Sequence, residues 1–285
     1  SRHAERGRIL LAGRDLGAQC VVEFVSIDHG PGMSDVDRCM RDGYSSAGTA
    51  GNGLGAIRRL ADDFSAFSMV GRGTVIVARV VVPVAATTRP PAAPPRFDIG
   101  AICLAAPGES VSGDGWSFRH DANGAELIVA DGLGHGPAAA EATAAALKVF
   151  EAGGDRSPSR IIERAHVALR STRGAAIAIA QLHADAVAFA GAGNIMGRLI
   201  TGVEDRSLLS QPGTVGLQIR HLQDVRYSWP EHAILVLHSD GLESRWKLTD
   251  TAALLRCDPL VIAAWLMRDH HRGRDDATVV VVRRR

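Results

Sequence analysis

Aromatic residues, cysteine pairs, long apolar runs and net charge are all scarce in this sequence of 285 residues. Aromatic side chains make up 5% of a chain that is 46% hydrophobic, so its cores must be built mainly from Ala, Val, Leu and Ile. The formal net charge of +1 provides no overall field that would attract nucleic acid or an anionic membrane surface. A chain of this length usually forms one or two domains of roughly 100–200 residues.

The four cysteines, Cys20, Cys39, Cys103 and Cys257, form no C-x-x-C pair. Their spacing indicates neither a zinc site nor a disulfide framework, and reduced thiols in a cytoplasmic protein are the simplest interpretation. No apolar run approaches the ~18 residues of a membrane span, and the charged start of the sequence is unlike a signal peptide. We therefore expect a cytoplasmic protein that binds neither membrane nor nucleic acid.

A proline-rich segment divides the sequence. Residues 83–96 read PVAATTRPPAAPPR, and because proline fixes φ and removes a backbone donor, this segment is neither a central strand nor a long helix. We interpret it as a semi-rigid linker. It separates an N-terminal domain, residues 1–82, from a longer domain, residues 97–285.

Apolar periodicity predicts a mixed α+β fold in both parts. The first part is predicted to have the order ββαββ, with strands at 8–12, 21–27, 65–70 and 74–82 and a helix at 54–64. The second part is predicted to have helices at 137–151, 158–169 and 259–268, each with proline in its first turn. Its predicted strands are 99–105, 116–119, 126–130, 175–182, 186–190, 196–200, 233–238 and 278–282. Grouped strands and helices of this kind indicate sheets covered by helices.

Four aspartates of the second part each lie beside a predicted strand and next to glycine or another acid. They are Asp114 in SGDGW, Asp131 in IVADGLGHG, Asp240 in LVLHSDGLE and Asp275 in GRDDATVVVV. Carboxylates that converge at a sheet edge repel one another unless a cation neutralises them, and hard oxygen ligands suit Mg²⁺ or Mn²⁺. A single Asp-Gly pair is more often a turn, but four in this arrangement indicate a metal site.

Taken in order, DGW, ADGLGHG, HSDGL and DDATVVVV resemble the motifs of the PPM superfamily of metal-dependent protein phosphatases. The SpoIIE-like bacterial branch fits best, and the segments RGAAIAIAQLH (173–183) and GAGNI (191–195) are most similar to its RsbX-like members. The resemblance covers about residues 97–285 and implies an αββα sandwich. It also implies hydrolysis of phosphoserine or phosphothreonine on a STAS-domain protein of the stressosome type.

The resemblance assigns roles to individual residues. It implies that Asp131 bridges two Mn²⁺ or Mg²⁺ ions and that the Gly132 carbonyl ligates one of them. Asp240 and Asp275 would be further metal ligands, so that Asp131, Asp240 and Asp275 form the catalytic set. Asp114 would support the cluster or bind an additional, weaker ion.

The implied chemistry needs no covalent intermediate, because two cations lower the pKa of bound water and stabilise the charge of the transferring phosphoryl group. Asp276 is expected to support the metal cluster rather than to ligate it. His135 is a candidate general acid, although a loop histidine beside glycines is the more common case, and Asn194 is expected to shape a turn. The sequence does not decide whether Arg119 or Arg173 binds phosphate.

Two glycine-rich boxes lie in the first part. DHGPG (28–32) follows a predicted strand, and GTAGNGLGAIRRLADDF (48–64) runs from a loop into a helix, where backbone amides and the helix N-terminus can cradle phosphate. Together they resemble the GHKL ATPase/kinase fold of RsbT- and RsbW-like anti-sigma kinases, an α/β sandwich. The resemblance implies that Asp28 binds the adenine amino group. The implied nucleotide-binding glycines are Gly30, Gly32, Gly51, Gly53 and Gly55.

One element of that fold is missing. The E-x-x-x-N helix should precede the first strand, and residues 1–4 resemble only its final turn. Either the chain begins inside the domain or the nucleotide site has decayed. ATP or ADP is therefore the ligand that the remaining boxes would bind, but kinase activity is not expected.

Three hypotheses follow for the function. The first is a partial GHKL module fused to a phosphatase of a phosphorylated STAS-domain protein, in a partner-switching pathway. The second is a non-catalytic or weakly catalytic binding module that sequesters a STAS protein, a sigma factor or an anti-sigma factor. The third is hydrolysis of a small phosphorylated metabolite, since substrate choice lies in surface loops.

Overall fold

The computed structural model describes residues 6–15, 19–41, 43, 53–83, 96–121, 124–154 and 157–285. These residues form two units, each described separately below. The first comprises the described residues among 1–93 together with 256–268, and the second comprises those among 94–255 together with 269–285. No helix of the described residues is long and apolar enough to cross a membrane.

The first unit contains a four-stranded antiparallel sheet with the order β1-β2-β4-β3. Its strands and short helices are β1 (Arg8–Asp15), β2 (Gln19–Ile27), α1 (Val36–Cys39), α2 (Gly53–Leu60), β3 (Asp63–Met69) and β4 (Gly73–Pro83). The predicted order ββαββ is present, with α1 as an additional helix. The predicted helix over 54–64 was too long, because Phe64 belongs to β3 and pairs with Ala78 of β4.

Helix α5 (Pro259–His270) belongs in large part to the first unit. Its Trp265 contacts Phe67 of β3 edge to face, with ring centroids 4.8 Å apart. Just before the helix, Asp258 accepts two hydrogen bonds of 2.9 Å from the guanidinium of Arg79, and bidentate pairs of this kind are strong and directional. Residues 256–268 are grouped with the first sheet by their contacts, and the domain bounds 1–82 and 97–285 stay a prediction.

The second unit contains two five-stranded antiparallel sheets, with the orders β11-β10-β15-β16-β5 and β14-β9-β8-β7-β6, and a small hairpin of β12 and β13. The strands are β5 (Phe97–Leu104), β6 (Asp114–Asp121), β7 (Gly124–Gly132), β8 (Ala175–Leu182), β9 (Ala186–Ala192), β10 (Met196–Ile200), β11 (Asp205–Leu208), β12 (Gly213–Thr214), β13 (Gln218–Ile219), β14 (Val225–Ser228), β15 (Ile234–His238) and β16 (Ala277–Arg284). The helices are α3 (Pro137–Glu151), α4 (Pro158–Ala168) and a 3₁₀ helix (Thr249–Arg256).

Alternate residues of the central strands face two different cores. In β7, Leu127 and Val129 pack between the two sheets, whereas Ile128 and Ala130 pack beneath α3 and α4. A strand that is buried on both faces has a nearly continuous apolar sequence, which is why β7 and β8 were recognisable. The resulting layers, two helices on a sheet that packs against a second sheet, confirm the predicted α+β class.

Candidate metal centre

The acidic residues of the second unit meet where strands of both sheets end. Asp114 begins β6 and lies directly opposite Asp131, near the end of β7. Asp131 continues the alternate residues of β7 that face the other sheet. Asp240 follows β15 and Asp275 precedes β16, which are neighbouring strands of that other sheet. The fold therefore brings together four aspartates that are distant in sequence.

Burial and mutual repulsion raise the pKa values of two of these carboxyls. Desolvation, followed by the charges of Asp114, Asp240 and Asp275, raises the pKa of Asp131 to about 9. Desolvation also raises the pKa of Asp114 to about 7, although the hydrogen bond from Ser239 opposes this shift. A bound divalent cation would relieve both the repulsion and part of the desolvation cost.

Asp114 has one bonded and one unbonded oxygen. Its Oδ2 accepts a hydrogen bond of 2.6 Å from Ser239 Oγ, which itself accepts one of 2.9 Å from the backbone N–H of Thr278. Asp114 Oδ1 is buried and has no hydrogen-bond partner among the described residues. Because a buried carboxylate oxygen without a partner is costly, this atom fits a position that contacts a cation or a water molecule held by one.

Asp276 is already fully engaged by the backbone. Its Oδ1 accepts a hydrogen bond of 2.8 Å from the Ala106 N–H, and its Oδ2 accepts one of 2.9 Å from the Gly113 N–H. Thr143 of α3 donates to the carbonyl of the same Gly113. These bonds fix the residue that precedes Asp114, so the structure gives Asp276 a supporting role.

Gly132 lies close against helix α3. A Cβ atom at this position would be 2.2 Å from the Ala139 carbonyl oxygen, so any other residue would displace the helix or the strand. The Gly132 N–H donates to the Gly113 carbonyl at 3.0 Å. Glycine is therefore required for β7 and α3 to approach each other beside Asp131.

Two polar side chains at this site, Asn194 and Ser239, hold the carboxylates in place. Asn194 was expected only to shape a turn, but its Nδ2 donates to Asp240 Oδ2 at 2.6 Å and so orients that carboxylate. Ser239 was not singled out at all. Ser239 lies between His238 and Asp240 in the HSDG motif, but its hydrogen-bond partner Asp114 is 125 residues away in sequence. No local sequence pattern therefore indicates this contact.

His135 and His238 differ in exposure. His135 is exposed in the loop after Asp131, and its Nδ1 lies 2.7 Å from Glu109 Oε1. His238 is buried, accepts a hydrogen bond of 3.1 Å from Trp246 Nε1, and has its pKa lowered to about 4 mainly by desolvation. His238 is thus a neutral core residue, whereas His135 is accessible to a substrate.

No three His, Cys, Asp or Glu side chains within the described part of the chain are already close enough to enclose an ion by themselves. That finding is compatible with Mg²⁺, which usually uses one or two carboxylates and keeps several water molecules. The unbonded Asp114 oxygen, the repulsion felt by Asp131 and the hard oxygen donors nearby all fit a divalent cation. The residues present therefore suit Mg²⁺ or Mn²⁺.

The first nucleotide box forms the turn after β2. Asp28 Oδ1 accepts a hydrogen bond of 2.8 Å from the Gly30 N–H, and Arg268 of α5 donates to the Asp28 carbonyl at 3.3 Å. Gly32 has a φ of 71°, and a Cβ atom there would be 2.0 Å from the Met69 carbonyl oxygen. Local geometry therefore accounts for part of the DHGPG motif without a ligand.

The second nucleotide box lies on another element. Gly53 is exposed at the start of α2, and Gly55, two residues later, is buried. Gly51 lies outside the described residues. A nucleotide site built from both boxes stays a prediction.

A family model described as Stage II sporulation protein E (SpoIIE) matches residues 121–285, which is more than half of the chain. The chain belongs to the SpoIIE family. The matched segment includes Asp131, Asp240 and Asp275, and Asp114 lies just before it.

Solved structures share the fold of this SpoIIE-family chain. One, from work on the bacterial stressosome as a modular system adapted to control secondary messenger signalling, is 27% identical, has a TM-score of 0.62 and covers 66% of this chain and 99% of its own. RsbX in complex with magnesium is 22% identical, with a TM-score of 0.58 and coverage of 66% and 96%. The PP2C phosphatase domain with a regulatory fragment of SpoIIE from Bacillus subtilis is 19% identical, with a TM-score of 0.55 and coverage of 96% and 82%. The predicted PPM-type fold is thus confirmed as PP2C-like.

A short segment of the SpoIIE-family chain is also similar to a kinase. Over 57 residues it is 42% identical to the serine/threonine-protein kinase RsbT of Bacillus subtilis (strain 168). This match covers 20% of the chain and 43% of RsbT, so the chain spans less than half of that kinase. It shows a relationship over this length and no more.

Proposed function

We propose that this SpoIIE-family protein is a metal-dependent phosphatase that hydrolyses phosphoserine or phosphothreonine on a STAS-domain protein in a partner-switching pathway. The observation that carries the proposal is the cluster of Asp114, Asp131, Asp240 and Asp275 at the ends of four strands, with two raised pKa values. The likeness to the stressosome structure, at 27% identity, supports the choice of a STAS-domain substrate.

In this proposal Asp131, Asp240, Asp275 and the Gly132 carbonyl would hold two Mn²⁺ or Mg²⁺ ions. Asp114 would offer its unbonded oxygen to an additional ion or its water. When bound, the ions neutralise the carboxylates and lower the pKa of the water that attacks phosphorus.

The residues of the chain prepare this site in advance. Ser239 orients Asp114 and Asn194 orients Asp240, so neither carboxylate must be reoriented during the reaction. His135, held by Glu109 on an exposed loop, is the candidate proton donor to the serine or threonine oxygen that leaves. Its ring can donate from Nε2 while Nδ1 is bonded to the carboxylate.

The decisive experiment measures phosphate release from a phosphorylated STAS-domain protein. It compares Mn²⁺ with EDTA, and the wild type with Asp131→Asn. The matched control is Asp185→Asn, since the Asp185 side chain is 85% exposed. Activity that requires Mn²⁺ and is lost only in Asp131→Asn supports the proposal. Absence of hydrolysis with metal bound, also on p-nitrophenyl phosphate, would favour a binding module that sequesters a STAS protein, sigma factor or anti-sigma factor.

We infer further that the first unit is a partial GHKL-type module that raises the local concentration of the STAS protein. The RsbT similarity and the β2 turn with Asp28 support this role. Binding of a fluorescent ADP analogue to the full chain, compared with Asp28→Ala, tests whether the module also binds nucleotide. Equal affinity of both proteins for the ADP analogue would show that Asp28 does not contribute to nucleotide binding.

A further inference from the structure

Arg173 lies beside the loop that carries the bridging aspartate. The ladder between β7 and β8 pairs Asp131 with Ala176 and continues to a hydrogen bond of 3.0 Å from the Leu133 N–H to the Gly174 carbonyl. Arg173 directly precedes Gly174 in the chain and therefore lies next to the segment that follows Asp131.

The guanidinium of Arg173 reaches over this loop. Its Nη1 is 3.1 Å from the position that a Cβ atom at Gly134 would occupy, so the guanidinium lies against the backbone of this loop. Arg173 is exposed, and within the described part of the chain it has no hydrogen-bond or ion-pair partner. Its donors thus lie beside the loop that follows Asp131 and remain available.

The backbone at Arg173 is held in place on both sides. Thr172 Oγ1 accepts a hydrogen bond of 3.1 Å from the Gly174 N–H and donates one of 2.8 Å to the Leu169 carbonyl. Gly174 has a φ of 82°, and a Cβ atom there would be 2.7 Å from the Val215 carbonyl oxygen. The side chain therefore leaves a fixed turn, and less conformational entropy is lost when it binds a ligand.

Arg119, the other arginine that the sequence left undecided, is committed elsewhere. Its Nε donates to Glu126 Oε2 at 2.5 Å, and its Nη1 donates to the Phe150 carbonyl at 2.7 Å. The guanidinium also stacks on the Phe150 ring, 4.6 Å from its centroid. These contacts make Arg119 a structural residue.

A groove lies next to the turn that carries Arg173. It has a volume of about 380 Å³ and is lined by residues that include Thr214, Leu217 and Arg220. A Cβ atom at Gly174 would be 2.9 Å from Thr214 and 3.3 Å from Leu217, so the groove adjoins the Arg173 turn.

We propose that Arg173 binds the phosphate group of the substrate at the rim of the metal centre. This inference rests on the proposed phosphatase function. A phosphorylated serine carries a charge of about −1.5 to −2 at pH 7, and the surrounding carboxylates repel it wherever metal ions do not neutralise them. A guanidinium offers parallel N–H donors that match two phosphate oxygens, so Arg173 adds both charge and orientation.

The test uses full-length Arg173→Ala and Arg173→Lys, with Arg160→Ala as a control that removes an exposed arginine from α4. Loss of Arg173 should raise KM and weaken competitive inhibition by inorganic phosphate, each by about tenfold, the size expected for a charge-assisted hydrogen bond. Mn²⁺ affinity by calorimetry and the melting temperature should not change. Lysine should restore part of the effect, because it keeps the charge but not the paired donors.

The outcomes separate this inference from the proposed function. If the wild type is active and Arg173→Ala has the same KM and phosphate inhibition, Arg173 does not bind phosphate and the phosphatase proposal stands. If Mn²⁺ binding falls instead, Arg173 shapes the metal site and the inference is wrong. If the wild type lacks activity, direct titration of inorganic phosphate into the Mn²⁺-loaded proteins still decides, since equal affinities overturn the inference.

Discussion

Replacing Asp131 with asparagine should stabilise the metal-free protein, although it removes a central residue of the proposed site. Burial and neighbouring charges raise the pKa of Asp131 from 3.8 to about 9. Between these values the folded state holds a proton that the unfolded state has released, so stability falls as pH rises through this window. At ~1.4 kcal/mol per pH unit, the cost at pH 7 is about 4 kcal/mol, and asparagine avoids it.

The assay is calorimetry in EDTA at pH 6, 7 and 8, repeated with Mn²⁺. At about 2–4 °C per kcal/mol for a unit of this size, Asp131→Asn should melt about 10 °C above the wild type at pH 7 without metal, with a larger difference at pH 8. With Mn²⁺ the order should reverse, because the wild type binds the ion and the variant does not. The exposed Asp185→Asn control should follow the wild type in both conditions.

Two results would refute this reasoning. A variant that melts below the wild type in EDTA would show that Asp131 is not held among repelling carboxylates. Equal stabilisation of both proteins by Mn²⁺ would show that Asp131 is not a ligand.

Three further changes test other parts of the structure. Gly132→Ala should lower the melting temperature and abolish Mn²⁺ binding, because the added Cβ would lie 2.2 Å from the Ala139 carbonyl oxygen. Calorimetry measures the melting temperature, and titration measures the Mn²⁺ affinity. If neither value changed, β7 and α3 would not be packed this closely. Asp276→Asn should lower the free energy of unfolding in urea by about 1–3 kcal/mol. The substitution replaces one carboxylate oxygen with an NH₂ group, so the N–H of either Ala106 or Gly113 loses its acceptor. An unchanged urea midpoint would show that these hydrogen bonds do not support the fold. The pKa of His238 is lowered from 6.5 to about 4, so the protein should lose about 3 kcal/mol of stability as pH falls across this window, because only the unfolded state binds the proton. His238→Gln should therefore show a weaker decrease in the free energy of unfolding between pH 6.5 and pH 4. An equal decrease in both proteins would argue against a buried neutral ring.

The sequence predicted best those features that depend on local pattern. The bounds of α3, β8 and β10 match the predictions, because proline at the start of a helix and continuous apolar runs mark such elements directly. The short strand β11 was missed, since three of its four residues are exposed and its sequence carries no apolar alternation. β14 alternates Val225 and Tyr227 with polar residues, but it is only four residues long. The four aspartates were found because each adjoins a strand that is apolar enough to recognise.

Contacts between distant segments explain what could not be predicted. Asp114 and Ser239 are brought together only when the two sheets pack, and the partners of Asp276 are backbone amides that no side-chain pattern reveals. Arg173 resembled any exposed arginine until the turn at Gly174 placed it over Gly134. Helix α5, buried all round from Pro259 to Met267, was recognisable as a core helix, but its sequence does not say which sheet it joins.

The membership of α5 in the first unit limits how this protein can be divided. The chain crosses from the second unit to the first at Arg256 and returns after Arg268, so neither unit is a continuous piece of sequence. A gene fragment that begins after the proline-rich segment would encode Trp265 without Phe67 and Asp258 without Arg79. A cut at the linker would therefore leave the ring of Trp265 and the carboxylate of Asp258 without the partners that the first sheet provides.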